Sequence, residues 1–379
     1  MVEKDSNGVS RRKVLTTTGG IAGAGIVSGC LNTGGNDDGS GNGSSSNGND
    51  EMNGNGEMSN ERGSDSMDTS PLNAGGSSTV YPIANSAGRL WNGNPPASDE
   101  EYWGPGQYGI DTDMNLADYF GSFYGFEPTD ERTVPPFTAS VALSHSGTGV
   151  EAVINGRADF GNASSTAESI LGPDNDALDS IVDHVVGVDG QPLVVSREIY
   201  DAGVTSITGE ELRDIYMQEI TNWSELGGPD REIYAVGRAE DSGTDTAFRT
   251  NLYGDPDAPI EPDVRRGQNQ QVASIIEQED NAIAYIALAF VEPDGATPAV
   301  DLELDGTTYS YGENLGAEDY PLNRDLHMYT WGDTSMKEAA FLNMILSDFG
   351  QQEFVASNNY FTLPDDRRQE ERDKLPNQV

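Results

Sequence analysis

One cysteine in 379 residues, Cys30, excludes any disulfide within the chain. Three histidines (His145, His184 and His327) are too few and too scattered to build a zinc site with that single thiol. Cations are scarce as well. Twenty-one Lys and Arg face 64 Asp and Glu, a formal net charge of −43, and no basic face for a nucleic acid can be assembled from them. G-x-S-x-G and G-x-x-x-x-G-K-[ST] are both absent, which removes the nucleophile elbow and the P-loop. So acidic a chain is either disordered or folded and adapted to molar salt. Aromatic residues recur from Tyr81 to Phe361 between apolar runs, which disordered chains lack, so the second reading leads. At about 1 M salt the Debye length is only ~3 Å, and surface self-repulsion is largely screened.

The chain opens with Arg11-Arg12-Lys13, a Gly-rich apolar stretch at 19–29, and Cys30. A twin-arginine pair before a short apolar region reads as an export signal, and the apolar stretch is too short and glycine-rich for a membrane helix. Cys30 follows Val27-Ser28-Gly29, close to a lipobox with Val in place of the usual Leu, which marks it for lipidation. Residues 31–70 are Gly, Asn, Ser, Asp and Glu with almost nothing apolar; such a segment cannot offset its ordering entropy and reads as a flexible tether. The remainder is long enough for two domains, and the polar residues after Leu363 are expected to fray.

Within the folded part, strand patterns at 139–144, 185–188, 193–195, 233–236, 282–286 and 327–330 alternate with helical patterns at 150–155, 209–217, 244–252, 270–278 and 337–347. This alternation predicts an α/β fold with mainly parallel sheets, in which ligands bind where strand ends lead into helix N-termini. The stretch 85–136 reads as an aromatic-rich insertion that either packs on the domain or docks another protein.

Three short loops occupy such strand-to-helix positions: Gly76-Ser77-Ser78-Thr79, Ser146-Gly147-Thr148-Gly149 and Ser242-Gly243-Thr244, the last preceded by Arg238. Helix N-termini offer free N–H groups and partial positive charge, and small residues let a tetrahedral oxyanion approach closely. Three together, with hydroxyls and one arginine, suggest a cage for one anion such as phosphate. Ser146-Gly-Thr-Gly-Val-Glu-Ala152 also fits G-x-G-x-x-A, a weak dinucleotide signal when alone.

In order along the chain, Gly76-Ser-Ser-Thr-Val-Tyr-Pro82, Ser146 through Ser164, Leu212 through Trp223, Arg238-Ala-Glu-Asp-Ser-Gly-Thr244, Ala282-Ile-Ala-Tyr and Tyr320-Pro-Leu-Asn-Arg324 resemble the PstS family, substrate-binding proteins of phosphate ABC transporters. The resemblance covers about residues 74–363. It implies a two-lobed, class II periplasmic-binding-protein-like fold with two crossover strands and a ligand cleft. The lobes would be 71–186 with 291–363, and 187–290, behind the signal (1–30) and tether (31–70) and ahead of the tail (364–379). It implies ligand contacts from Ser78, Thr79, Ser146, Ser164, Arg238, Ser242, Gly243 and Thr244, with Glu240 orienting Arg238. Some relatives carry an Asp where Ser164 stands; serine can accept the proton of hydrogenphosphate but adds no charge to repel sulfate. The partners implied are inorganic phosphate, permease subunits and the membrane through a lipid anchor, for a monomer on the extracellular face with no cofactor and no catalysis. Sulfate, molybdate or tungstate binding, or a phosphohydrolase using a serine of the same cage, are the alternatives.

Overall fold

The computed structural model describes residues 67–240, 242–317 and 319–379. The export signal, Cys30 and nearly all of the tether lie outside the described residues.

Two sheets organise the chain. The first has five strands in the order Ala139–Ser144, Leu72–Ser77, Phe160–Ala163, Arg324–Trp331, Ile181–Asp189. The second runs Thr307–Tyr309, Ala299–Leu304, Leu193–Val195, Ala282–Tyr285, Tyr234–Arg238, Val264–Arg266, with Ser206–Thr208 beside Ala299–Leu304. Pairing is parallel where a helix carries the chain back across the sheet, as between Leu72–Ser77 and Ala139–Ser144. It is antiparallel along Arg324–Trp331, which pairs with both Phe160–Ala163 and Ile181–Asp189. Both sheets are therefore mixed, because strands at the two crossings enter against the parallel direction.

The chain leaves the first sheet at Asp189 and joins the second at Leu193. The expected return to the first lobe at 291 is corrected by the pairing. Ala282–Tyr285 lies inside the second sheet between Leu193–Val195 and Tyr234–Arg238, and Val300 pairs with Leu193. The return falls between Tyr309 and Arg324.

The aromatic stretch is core rather than an exposed docking face. Trp91, Trp103, Phe120, Tyr124 and Phe126 are buried, and Trp91 packs on Phe341 of helix Met336–Leu346 with ring centroids 5.8 Å apart. Each such side chain contributes about 2–3 kcal/mol of burial. The residues after Leu363 do not fray. They form helix Asp365–Asp373, whose Glu371 carboxylate accepts the Val185 N–H at 3.1 Å, and Val379 N donates to Phe123 O at 3.0 Å. Among the described residues no helix is long and apolar enough to cross a membrane.

Candidate functional site

The three loops sit where the sheet ends meet. Strand Leu72–Ser77 runs into Ser78 and Thr79 and then helix Tyr81–Gly93; strand Ala139–Ser144 runs into helix Ser146–Ile154. Strand Tyr234–Arg238 ends on Arg238, and Ser242 caps helix Gly243–Tyr253 by accepting Thr244 N at 3.3 Å. Position 76 has to be glycine. Its φ is +131°, and a Cβ there would overlap Asn162 O and lie 2.9 Å from Gly149 Cα, so only glycine lets the first two loops pack together.

All eight residues expected to hold the ligand are brought into one buried cluster. Ser78, Thr79, Ser146, Ser164, Arg238, Ser242 and Thr244 are each at most 2% exposed, and Gly243 is buried with them. Contacts run across the lobes. Thr79 Oγ1 lies 3.3 Å from Thr244 Oγ1, Arg238 Nη2 donates to Ser78 Oγ at 3.2 Å, and a Cβ on Gly243 would collide with Ser146 Oγ. Within the first lobe, Ser164 N donates to Ser146 Oγ at 3.1 Å, and Ser77 Oγ donates to Ser164 Oγ at 3.1 Å.

Residues outside the three loops complete the cluster. Arg324 places Nη2 3.3 Å from Thr79 Oγ1 while Nε and Nη2 grip Asp189 Oδ2 at 3.0 and 2.6 Å. Asp189 Oδ1 accepts Leu288 N at 2.9 Å, so the carboxylate is engaged on both oxygens. Asn269, which opens helix Asn269–Gln278, reaches Ser78, Thr79 and Arg238. Arg324 was visible only as the end of Tyr320-Pro-Leu-Asn-Arg324 and received no role, because it stands on a strand rather than a loop. Asn269 carried no signal beyond being an Asn where a helix begins.

Glu240 does not orient Arg238. It is 73% exposed and lies 3.7 Å from Arg249 and 3.9 Å from Arg265. Arg238 is held instead by Arg266 O, Gly267 O and Asn269 Oδ1, and its backbone N–H donates to Tyr285 OH at 3.1 Å. Tyr285 in turn donates to Asp245 Oδ1 at 2.6 Å, which also accepts from Arg265 at 3.0 Å. Burial, and then the neighbouring charge of Arg324, bring the Arg238 pKa down to about 10, so the guanidinium keeps its proton at neutral pH.

The histidines have structural partners: His184 Nε2 meets Thr334 Oγ1 at 2.8 Å, His327 pairs with Asp183 at 2.8 Å, and His145 bonds Thr148 at 3.1 Å. Asp159 accepts Asn73 N at 2.6 Å and pairs with Lys337 at 3.2 Å, a structural turn role. No group of His, Cys, Asp or Glu that could hold a metal occurs among the described residues. What converges is a buried surface of hydroxyls, amide N–H groups and two guanidinium groups, an environment in which an anion is gripped with little screening.

Residues 126–348 match the family model described as a PBP superfamily domain. The chain is 32% identical over 231 residues to the phosphate-binding protein PstS of Bacillus subtilis (strain 168), spanning 61% of this chain and 73% of that one. The crystal structure, with bound phosphate, of a substrate-binding protein assigned to phosphate ABC transport in Clostridium perfringens superposes with a TM-score of 0.58 at 20% identity, covering 78% of this chain and 100% of that one. A phosphate-binding protein from Stenotrophomonas maltophilia gives a TM-score of 0.51 at 13% identity, over 80% of this chain and 93% of that one. Two mixed-sheet lobes whose strand ends face a shared polar seam make a periplasmic-binding-protein-like fold. The chain belongs to the PBP superfamily and, within it, to the PstS family.

Proposed function

We propose that this protein is an extracytoplasmic solute-binding lipoprotein that captures inorganic phosphate between its lobes and delivers it to an ABC-transporter permease. The observation that carries the reading is the buried convergence of Ser78, Thr79, Ser146 and Ser164 from one lobe on Arg238, Ser242, Gly243 and Thr244 from the other. Those eight residues are the proposed ligands, with Arg238 supplying the bidentate charge-assisted contact. Asp189, the carboxylate bonded within this cluster, is engaged by Arg324 and Leu288 N, so it does not pair off the charge of Arg238. The site is read as non-catalytic, and the names of relatives that bind phosphate support that reading.

Export by the twin-arginine route, lipidation of Cys30 and a tether that lets the lobes reach the permease follow from the first 70 residues of the sequence. The acidic surface suits molar salt, where long-range repulsion of a phosphate dies within a few ångströms while buried N–H donors keep their grip. Equilibrium dialysis against labelled phosphate at molar salt tests the reading. Saturable one-to-one retention is expected, and no retention would overturn it. Release of a Cys30→Ser variant from membranes into the medium tests the anchor; continued retention would count against it.

A further inference from the structure

Besides Ser78 Oγ, the acceptors that aim the Arg238 side chain lie outside the three loops. Its Nε–H donates to Arg266 O at 3.2 Å, Nη2–H to Gly267 O at 2.8 Å, and Nη1–H to Asn269 Oδ1 at 2.6 Å. Two of these acceptors are backbone and come with the fold. The third is a side chain, and it is fully buried.

The same amide also faces the first lobe. Asn269 Nδ2 lies 3.1 Å from both Ser78 Oγ and Thr79 Oγ1, and the Asn269 backbone N–H donates to Ser78 Oγ at 3.2 Å. Its orientation is fixed by chemistry: Oδ1 accepts from Arg238 and from Ala287 N at 3.3 Å, and turning the amide over would set its NH2 against two donors. Asn269 thus touches the one arginine expected from the loops, the Ser78 and Thr79 hydroxyls of the first loop, and the chain just beyond strand Ala282–Tyr285.

A carboxylate could aim an arginine too, but it would cancel the charge the anion needs, at a site where burial makes that charge count most. An amide accepts from the guanidinium and leaves its charge intact. The acid that the resemblance assigns to this task, Glu240, is on the surface with Arg249 and Arg265.

We propose that Asn269 is the positioning residue of the anion site: Oδ1 aims Arg238 at the ligand, and Nδ2 bolts the second lobe to Ser78 and Thr79. The inference rests on the phosphate reading of the same site. It is tested on the full-length protein by phosphate titration and stopped-flow kinetics at molar salt, comparing native, Asn269→Ala, Asn269→Asp and Glu240→Gln. Asn269→Ala should weaken binding by about 30-fold or more, mainly through faster release, because Arg238 loses its aim and closure loses its bolt. Glu240→Gln should stay within about threefold of native.

Asn269→Asp carries the discriminating readout. It keeps the shape of the amide and an acceptor for Arg238, but its carboxylate pairs off the guanidinium charge and cannot donate to Ser78 and Thr79, so its affinity should fall at least as far as that of Asn269→Ala. A residue that only packs the fold would be rescued by this isosteric change. If Asn269→Ala fails to fold, Asn269→Asp still decides the matter. The inference is overturned by native-like affinity in Asn269→Ala or in Asn269→Asp, or by an equal loss in Glu240→Gln. Those outcomes leave phosphate binding by the native protein standing, whereas a native protein that binds no phosphate removes the functional reading itself and this inference with it.

Discussion

Thr79 Oγ1 and Thr244 Oγ1 lie 3.3 Å apart although 165 positions separate them in the chain. One follows the first sheet's strand Leu72–Ser77 and the other lies in the first turn of helix Gly243–Tyr253, so their contact marks the line along which the two lobes meet. Gly243 sits on that line, and a Cβ there would collide with Ser146 Oγ and come within 2.9 Å of Ser165 Oγ. Gly243→Ala should therefore weaken anion binding by about tenfold or more while changing the melting temperature little, since the clash arises only when the lobes meet. Titration and thermal melting of one preparation check it; unaltered affinity would mean that the lobes do not close this tightly on the ligand.

Arg238→Ala should cost about 3 kcal/mol of binding, because a buried anion would lose its charge partner. Calorimetry on the variant checks this, and phosphate titration indistinguishable from native would remove Arg238 from the site.

The second arginine behaves differently. Arg324 and Asp189 are both buried and joined at 2.6 Å. Arg324→Met should destabilise the fold by about 3–5 kcal/mol by stranding the Asp189 carboxylate, and adding Asp189→Leu should restore much of the loss. Denaturant unfolding of the cycle decides it: additive effects would mean that the pair is not coupled.

How far the chain could be read in advance follows from what each segment packs against. Strands 139–144 and 193–195 have the bounds expected, since each is a short run with apolar residues flanked by Gly and Pro or by a helix start. Leu72–Ser77 was missed because Leu-Asn-Ala-Gly-Gly-Ser has the composition of a loop; it is a strand because neighbours pair with it on both sides and its glycines admit them. Helix Tyr81–Gly93 is not among the helical patterns read from the sequence, because its Asn, Ser and Gly suggest a loop, although Ile83, Ala84, Ala87, Gly88 and Trp91 form its buried face. Helix Asp365–Asp373 has no apolar stripe and docks through Glu371 and neighbouring polar groups, which no periodicity records. The site divides the same way. Loop residues with a motif were legible, whereas Asn269 and Arg324 act from a helix start and a strand and become visible only once the lobes are folded together.

A pH effect on stability is expected from His184, on strand Ile181–Asp189. Burial, aided by the charge of Lys374 and opposed by Asp183, lowers its pKa from 6.5 to about 4. The unfolded chain therefore takes up a proton near pH 6.5 that the native protein refuses until about pH 4, so stability falls as pH drops through that window and is unaffected by this group above it. The loss is up to about 3 kcal/mol. Glu338 and Glu371, whose pKa values burial raises, act in the opposite sense, so the contribution is read as the difference from His184→Gln. An identical pH slope in that variant would contradict the assignment.

The central claim, that the seam between the lobes is a phosphate site, is tested most directly by calorimetric titration of the protein at molar salt with phosphate and, separately, with sulfate. The account predicts a one-to-one phosphate complex and weaker but measurable sulfate binding, because Ser164 offers hydroxyl and N–H groups and no carboxylate to repel a fully ionised anion. Absence of any phosphate complex, or sulfate bound more tightly than phosphate, would contradict it.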